Sequence, residues 1–416
     1  MNLISLSWSY IKAKPLNTLL NVLLMSLGIA IILVLILLSS QLEENLSKNK
    51  RGIDLVVGAK GSPLQLILAN VYHIDFPTGN IKLDEAKNLT RNRLVKSAIP
   101  LALGDNYGGF RIVGTNHDYV KLYSGEIGSG VLWKNNLDVV LGANVSEKLN
   151  LKEGAEFFGA HGLSVADLEH EEQSYRVVGV LKKSGSVLDN LILTNIESVW
   201  AVHDHEASDE EHDHDHDHEV EEGSAWETGL PDGDTNAEIT SMLIKYRSPM
   251  GAVQMPRYIN ANTNMQAASP AFETQRLFSL LGIGVDMLRS FAYIIIVIAG
   301  LSIFISLYNA LKDRKYDLAI MRSLGAARSK LFVHVVIEGI IITIIGGLLG
   351  MVLGHGLMEV LANSYEKSDD IGITGLIFVN QELYVLLISV GIGVVASLIP
   401  AFNAYKTDIS KVLAEE

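Results

Sequence analysis

Six of the twelve histidines fall in one stretch, 203–222, which reads HDHEASDEEHDHDHDHEVEE. There His203, His205, His212, His214, His216 and His218 are interspersed with eleven acidic residues and no basic one. Neutral imidazole suits zinc, copper and nickel, and affinity for such a metal rises with pH as the rings lose their protons. No tetrahedral spacing is fixed, so several ligand sets could exchange. Alternating His and Asp cannot bury an apolar face, so the segment is expected to be disordered without a ligand. Two expectations stand side by side: a loop that collects or senses zinc or another divalent metal, and a solvated insert (203–235) with no role.

A second chemical candidate is Glu338, eight residues into a long apolar segment and on the same helical face as His334, one turn earlier. A carboxylate inside a membrane span is costly unless paired, and so is a functional candidate by default. No second acid lies inside any apolar segment to complete a proton relay. The favoured role is therefore structural or coupling: a carboxyl bonded to a neighbouring helix, or one near enough to the interface to snorkel. A third candidate is LKDRKYDLAIMRSLGAARSKL, residues 311–331, which sets Lys312, Arg314, Lys315, Arg322, Arg328 and Lys330 against Asp313 and Asp317. Tyr316, Ile320 and Leu324 recur at i, i+4 and i+8, one face of a helix, and Gly325 follows as a C-cap. This reads as a short amphipathic helix on the cytoplasmic membrane surface with one face open to another protein. The plain alternative is a basic loop obeying the positive-inside rule.

Other chemistry is missing. There is no G-x-x-x-x-G-K-[ST] phosphate loop, no nucleophile elbow, no H-E-x-x-H and no cysteine. No basic stripe for nucleic acid lies outside the inner loops. The net charge of −14 misleads, because without the eleven acids of 203–222 it is −3.

The elements that position these residues are mostly membrane helices. Residues 15–42 are 28 in a row without a charge, more than the ~20 that span a bilayer, and too long for a typical cleaved signal. Before them, residues 1–14 place Ile4, Trp8 and Ile11 on one face, as in an interfacial helix with Trp8 and Tyr10 at headgroup depth. Further spans are expected at 282–311 (uncharged from Ser290), 331–358 and 383–405. In the third span Gly346, Gly347, Gly350 and Gly354, with Gly339 and Gly356, allow close helix packing, as do Gly391 and Gly393 in the fourth. The loop 312–330 is basic, whereas the loop 359–382 carries five acids against Lys367 alone. Both termini, including the tail 406–416, therefore lie on the cytoplasmic side.

Residues 43–281 form the outer region. Short β-like runs recur there, FRIVGTN at 110–116, DVVLG at 138–142, YRVVGVL at 175–181, LILTN at 191–195 and SMLIKY at 241–246, with helical stretches at 84–96 and 143–149. The segment 53–81 is apolar and rich in Gly and Pro; it reads as the first strand and helix of the domain core, or as a face for a substrate or partner. The fold class is thus membrane α-helical, four transmembrane helices with both termini cytoplasmic, plus one large extracytoplasmic α+β domain between helices 1 and 2.

The run RKYDLAIMRSLGAARSKLFVHVVIEGIIITIIGGLLG resembles the loop-plus-helix signature of the FtsX/MacB-like ABC transporter permeases, with Asp317 where Glu is commoner and Met321 before the Arg. The end of the chain, PAFNAYKTDISKVLAEE, is similar to that family's tail, with Ser410 for the usual Pro. More loosely, VVLGANVSEKLNLKEGAEF and YRVVGVLKKSGSVLDN resemble its periplasmic core domain.

The resemblance implies that Arg314, Tyr316, Asp317, Ile320, Arg322, Leu324 and Gly325 belong to a coupling element that docks on a cytoplasmic ABC ATPase subunit. ATP would then act only through that partner, and this chain would itself be non-catalytic. It further implies a dimer with a second permease copy or paralogue in the bacterial cell (inner) membrane, in contact with lipid and with a periplasmic partner or substrate protein. ATP-driven closure would move the external domains by mechanotransmission, exporting or extracting a hydrophobic, peptide-like or lipoprotein substrate. Two alternatives stay open: a zinc-linked ABC system whose His-rich loop senses metal, and an FtsX-like regulator of a cell-wall hydrolase.

Overall fold

In the computed structural model the described residues are 3–160, 169–204, 229–231, 237–364 and 373–406. The chain divides into two units, Met1–Leu42 with Leu281–Glu416, and Glu43–Leu280. Helix α1 (Leu3–Ala13) precedes α2 (Pro15–Asn49), whose opening proline lacks only an N–H that a first turn leaves unused. The uncharged run stops at Leu42 but the helix does not, since Glu44 pairs with Lys48 one turn on at 2.8 Å. A charge ends an apolar run; it does not end a helix.

The second unit begins with β1 (Leu55–Ala59) and α3 (Pro63–Asn70), capped by the Ser62 hydroxyl. Thereafter come β2 (Ile81–Lys82), α4 (Leu83–Thr90), β3 (Val95–Tyr107), β4 (Phe110–Gly114), α5 (His117–Leu122), β5 (Ile127–Gly130) and β6 (Asp138–Leu141). They are followed by α6 (Ala143–Leu149), β7 (Glu156–Ala160), β8 (Glu169–Leu181), β9 (Leu191–Thr194) and α7 (Ile196–Asp204). Last are β10 (Glu238–Ile239), β11 (Ser241–Tyr246), α8 (Met250–Asn262) and β12 (Met265–Ala268). Among the described residues the main sheet runs β12-β1-β11-β3-β4-β9-β6-β8-β5, with β7 joining β3 to β8, and β2 pairs with β10. The pairs β4/β9 and β6/β8 are parallel and the rest antiparallel. Strands β6 and β9 are buried along their whole length, as strands covered on both faces must be.

Strand β3 pairs with β11 along its first half and with β4 along its second, which carries the sheet from one core to another. One core gathers Leu55, Val57, Ala86, Val199, Met242 and Ile259; the other Phe110, Ile112, Val139, Leu141, Phe157 and Val177. The five β-like runs of the sequence lie on β4, β6, β8, β9 and β11. The helix expected over 84–96 stops at Thr90, because Asn92 accepts from the Leu94 amide at 3.0 Å and turns the chain into β3. The segment 53–81 supplies β1 and α3, and then leaves Ile74 and Phe76 exposed. Between them and α3, the Tyr72 hydroxyl meets the Leu46 carbonyl and Thr274 Oγ1, both at 3.0 Å, and His73 Nε2 lies 2.7 Å from the Tyr119 hydroxyl. Burial, with the Arg111 guanidinium adding to it, pushes the His73 imidazole down to about 3.

The remaining helices are α9 (Pro270–Asp313), α10 (Lys315–Ser323), α11 (Arg328–Ser364) and α12 (Gln381–Lys406). With α2, three of them are long and apolar enough to cross a membrane, at mean hydropathies of 2.4 to 3.0. Helix α9 starts twelve residues before the span expected at 282, and α11 runs past the expected 331 and 358 at both ends. The cause is the one seen in α2: hydropathy marks the depth of the bilayer, while helix ends are set by backbone caps. Along α11, Gly346, Gly350 and Gly354 face Met25, Ile29 and Leu33 of α2, where an added Cβ would come within 2.7–2.9 Å of those side chains. Gly347 faces Ser389, and Gly339 meets the Gly393 carbonyl of α12. Among the described residues nothing lies within 4 Å of a Cβ added at Gly356 or Gly391.

At the outer end of this unit, the loop after residue 372 is strapped down by side chains. The Gln41 amide bonds both the N–H and the carbonyl of Thr374, at 2.8 Å each. Glu359 accepts from the Gly375 amide and the Thr374 hydroxyl, and Glu382 accepts from the Val379 amide and lies 3.1 Å from His355 Nε2. Helix α9 is the least enclosed of the four, with 28% of its most apolar window buried against 56% for α2.

Candidate functional site

The candidate site lies at the inner end of the membrane unit and starts from a break in the chain. At Arg314 the backbone (φ −107°, ψ 12°) leaves the helical region, which separates α9 from α10. Helix α10 ends in a Schellman motif: the Ala326 amide donates to the Met321 carbonyl and the Gly325 amide to that of Arg322, both at 3.0 Å. Gly325 sits at φ +96° with open space where a Cβ would go, so its requirement is conformational and not steric. Asp317 in the first turn and Arg322 in the last both complement the helix dipole.

Two faces of α10 do different things. Leu318 and Ala319 are buried, and Leu318 packs with Leu331, Val335, Ala401 and Ala404 on the inner ends of α11 and α12. Tyr316, Ile320 and Leu324 are 46%, 38% and 82% exposed, so an apolar face of three residues is left uncovered beside Arg322. The helix is seated by one side and presents the other.

The Arg314 side chain is nearly enclosed and has three partners. Nη1 lies 3.4 Å from Glu338 Oε1, Nη2 donates to the Tyr10 carbonyl at 3.1 Å, and the guanidinium carbon stands 3.9 Å from the Tyr10 ring centroid. Tyr10 in turn packs on His334, with ring centroids 5.4 Å apart, and the fully buried Ser7 hydroxyl lies 2.8 Å from His334 Nδ1. Burial, then Asp317, raises the Tyr10 phenol above its ordinary range against the pull of Arg314, so the ring stays neutral. Outside this group, Lys14 forms an exposed ion pair with Asp313. Arg314, Glu338 and His334 are thus brought into one cluster that ties α1, α11 and the start of α10 together.

Ser7 and Tyr10 complete the cluster, and neither was singled out for it by the sequence. On α1 the residues facing the protein are Ser7 and Ile11, while Ile4 and Trp8 are left exposed. In an aqueous helix the apolar stripe marks the buried side, but next to lipid it does not, so the rule misleads here. The packing glycines Gly346, Gly347, Gly350 and Gly354 lie further along α11, outside the cluster. Of the six histidines, His203 falls in the last turn of α7; His205, His212, His214, His216 and His218 lie outside the described residues. Among the described residues no group of three or more His, Asp or Glu is placed to hold a metal ion.

Two family models match the chain: a MacB-like periplasmic core domain over residues 18–270 and an FtsX-like permease C-terminal region over residues 289–409. Among curated relatives, the uncharacterized ABC transporter permease YknZ of Bacillus subtilis is 29% identical over 133 residues, 31% of each chain. An uncharacterized ABC transporter permease of Methanocaldococcus jannaschii is 24% identical over 59% of this chain and 56% of its own. The macrolide export ATP-binding/permease protein MacB of Neisseria meningitidis is 22% identical over 82% of this chain and 51% of its own. The chain thus spans between 31% and 56% of the length of these relatives. Of the solved structures, the periplasmic region of MacB from Actinobacillus actinomycetemcomitans aligns with 57% of this chain and 97% of its own, at 12% identity and a TM-score of 0.33. The extracellular domain of YknZ from Gram-positive bacteria aligns with 52% of this chain and 99% of its own, at 13% identity and a TM-score of 0.31.

Proposed function

The chain belongs to the FtsX-like ABC transporter permeases that carry a MacB-like periplasmic core domain, and from that membership we infer that it converts ATP hydrolysis by a cytoplasmic ABC ATPase subunit into movement of its external unit. The observation that carries this reading is the split of α10, buried through Leu318 and Ala319 and open through Tyr316, Ile320 and Leu324. An apolar face held beside a cation at the cytoplasmic surface is what a protein partner would grip. A load applied there meets α11 and α12 through the Leu318 cluster and α1 and α11 through Arg314. Connectivity agrees with a mechanical role, because the chain passes between its two units inside two uninterrupted helices, α2 and α9.

The working unit is a dimer with a second permease copy. Along α9, Met287, Phe291, Ile294, Ile298, Leu301 and Ile305 alternate at four- and three-residue steps and are each about half exposed or more. That seam is the pattern of helix pairing in coiled coils. The substrate is hydrophobic, peptide-like or a lipoprotein, taken at the external unit, where Ile74 and Phe76 are exposed.

The test is co-purification of the ATPase subunit with the membrane-inserted permease. Replacing Tyr316, Ile320 and Leu324 by alanine removes apolar contact of about 1 kcal/mol each, on the order of a hundredfold in affinity together. Insertion and thermal stability should hold, since all three side chains are exposed. An ATPase that still co-purifies at the wild-type ratio would sink the assignment.

A further inference from the structure

At the inner end of the membrane unit, α11 and α12 leave an apolar groove of about 430 Å³ lined by Phe332, Leu398, Ile399 and Phe402. Its cytoplasmic mouth is basic. On α12, Leu398, Phe402 and Lys406 follow at i, i+4 and i+8, and Lys406 Nζ lies 4.4 Å from the Phe402 ring centroid, which draws the ammonium to the groove's edge. On α11, Arg328 stands one turn before Phe332 and is exposed. No acidic residue occurs in 328–337 or in 388–406, so neither helix offers these cations an anion of its own along this stretch.

We propose that this groove binds an anionic phospholipid of the inner leaflet, with one acyl chain along Phe332, Leu398, Ile399 and Phe402 and the phosphate between Lys406 and Arg328. The argument is one of charge complementarity at a fixed depth. Lipid tails are as apolar as the groove, so tail contact alone does not select one lipid over another. Selection comes from the headgroup, and two cations near an anionic membrane surface favour an anionic over a zwitterionic lipid by about thirtyfold. The site differs from a generic stretch of lipid-facing helix in that Lys406 stands against Phe402 of the recess and Arg328 lies one helical turn before Phe332. Phe332 also packs against the cluster that seats α10, so a lipid held there abuts the support of the coupling helix. The proposal depends on the membrane topology and stands apart from the identity of any ATPase.

The experiment is native mass spectrometry of the full-length permease released from detergent after incubation with phosphatidylglycerol or with phosphatidylcholine of the same chains. The wild type should retain one phosphatidylglycerol per chain with about thirtyfold preference. The double variant Lys406→Gln, Arg328→Gln should lose that preference; both side chains are exposed, so folding is not at stake. Leu398→Trp, which fills the recess and leaves the charges in place, should lose retention of the lipid. Equal retention of the two lipids by the wild type would overturn the proposal, as a surface ring of ordinary lipid behaves that way. Unchanged retention in either variant would overturn it too.

Discussion

Arg314 and Glu338 should be unequal partners. Among the described residues Glu338 has Arg314 alone, with 8% of its side chain exposed, whereas Arg314, 12% exposed, keeps the Tyr10 carbonyl and ring if Glu338 is lost. Breaking a buried ion pair by removing one member costs about 3–5 kcal/mol, mostly from the charge left behind. Arg314→Gln strands a carboxylate with no replacement and should fall in that range. Glu338→Gln leaves a guanidinium with two of its three contacts and should cost nearer ~2 kcal/mol. The double variant Arg314→Gln, Glu338→Gln leaves no buried charge and should cost less than Arg314→Gln alone, giving a coupling energy of about 2–3 kcal/mol. Unfolding midpoints of the purified permease in one detergent, read across the four proteins, give the cycle. Strict additivity would refute the reasoning, as would an Arg314→Gln no worse than Glu338→Gln. Additivity would mean that the 3.4 Å contact carries no energy.

Two further outcomes follow from groups away from that cluster. The folded-state His73 imidazole sits near 3 against an ordinary 6.5, so between those values the unfolded chain binds the extra proton and stability falls as the pH falls. The loss from this ring is about 1.6 kcal/mol between pH 6.5 and pH 5. His73→Gln should flatten the pH dependence of unfolding by that amount, and parallel profiles for the two proteins would refute the assignment. Deleting 203–222 should abolish high-capacity zinc uptake measured by calorimetry while leaving the unfolding midpoint unchanged. A deletion that binds zinc like the wild type would place the metal elsewhere.

Much of the architecture could be read from the sequence because the physics behind it is local. Long uninterrupted apolar runs mark spans, and short apolar runs bounded by Gly, Asn or Asp mark strands such as β4 and β9. Gly346, Gly350 and Gly354 recur every four residues, and that period sets them apart from Gly356, two residues off the stripe, beside which no described residue lies within contact. Helix limits were less legible: Glu43, Glu44 and Arg289 end hydropathy without ending a helix. The pairing of Arg314 with Glu338 was not legible at all. It depends on the break at Arg314 turning the chain back toward α11, and no pattern of residues 314–338 encodes that angle. A hint was present nonetheless, for Glu338 is the one acid in its span and needed a cation within reach. Ser7 and Tyr10 left no comparable signal, since a serine and a tyrosine on an interfacial helix are ordinary there.

The glycine notches on α11 also say which parts of the membrane unit move together. Met25, Ile29 and Leu33 sit in successive notches, so α2 meshes with α11 as a rack does, and a slide of one residue would drive side chains into backbone. The next register that fits lies a full notch away, about 6 Å along the axis. With α12 locked to α11 through Gly339, Gly347 and Gly393, these three helices form one block. Helix α9 meets that block through two glycine notches, Gly28 of α2 receiving Ile296 and Gly300 of α9 receiving Ile392 of α12. It is the least enclosed of the four long helices, and it is also the one whose end lies a single residue from the start of α10.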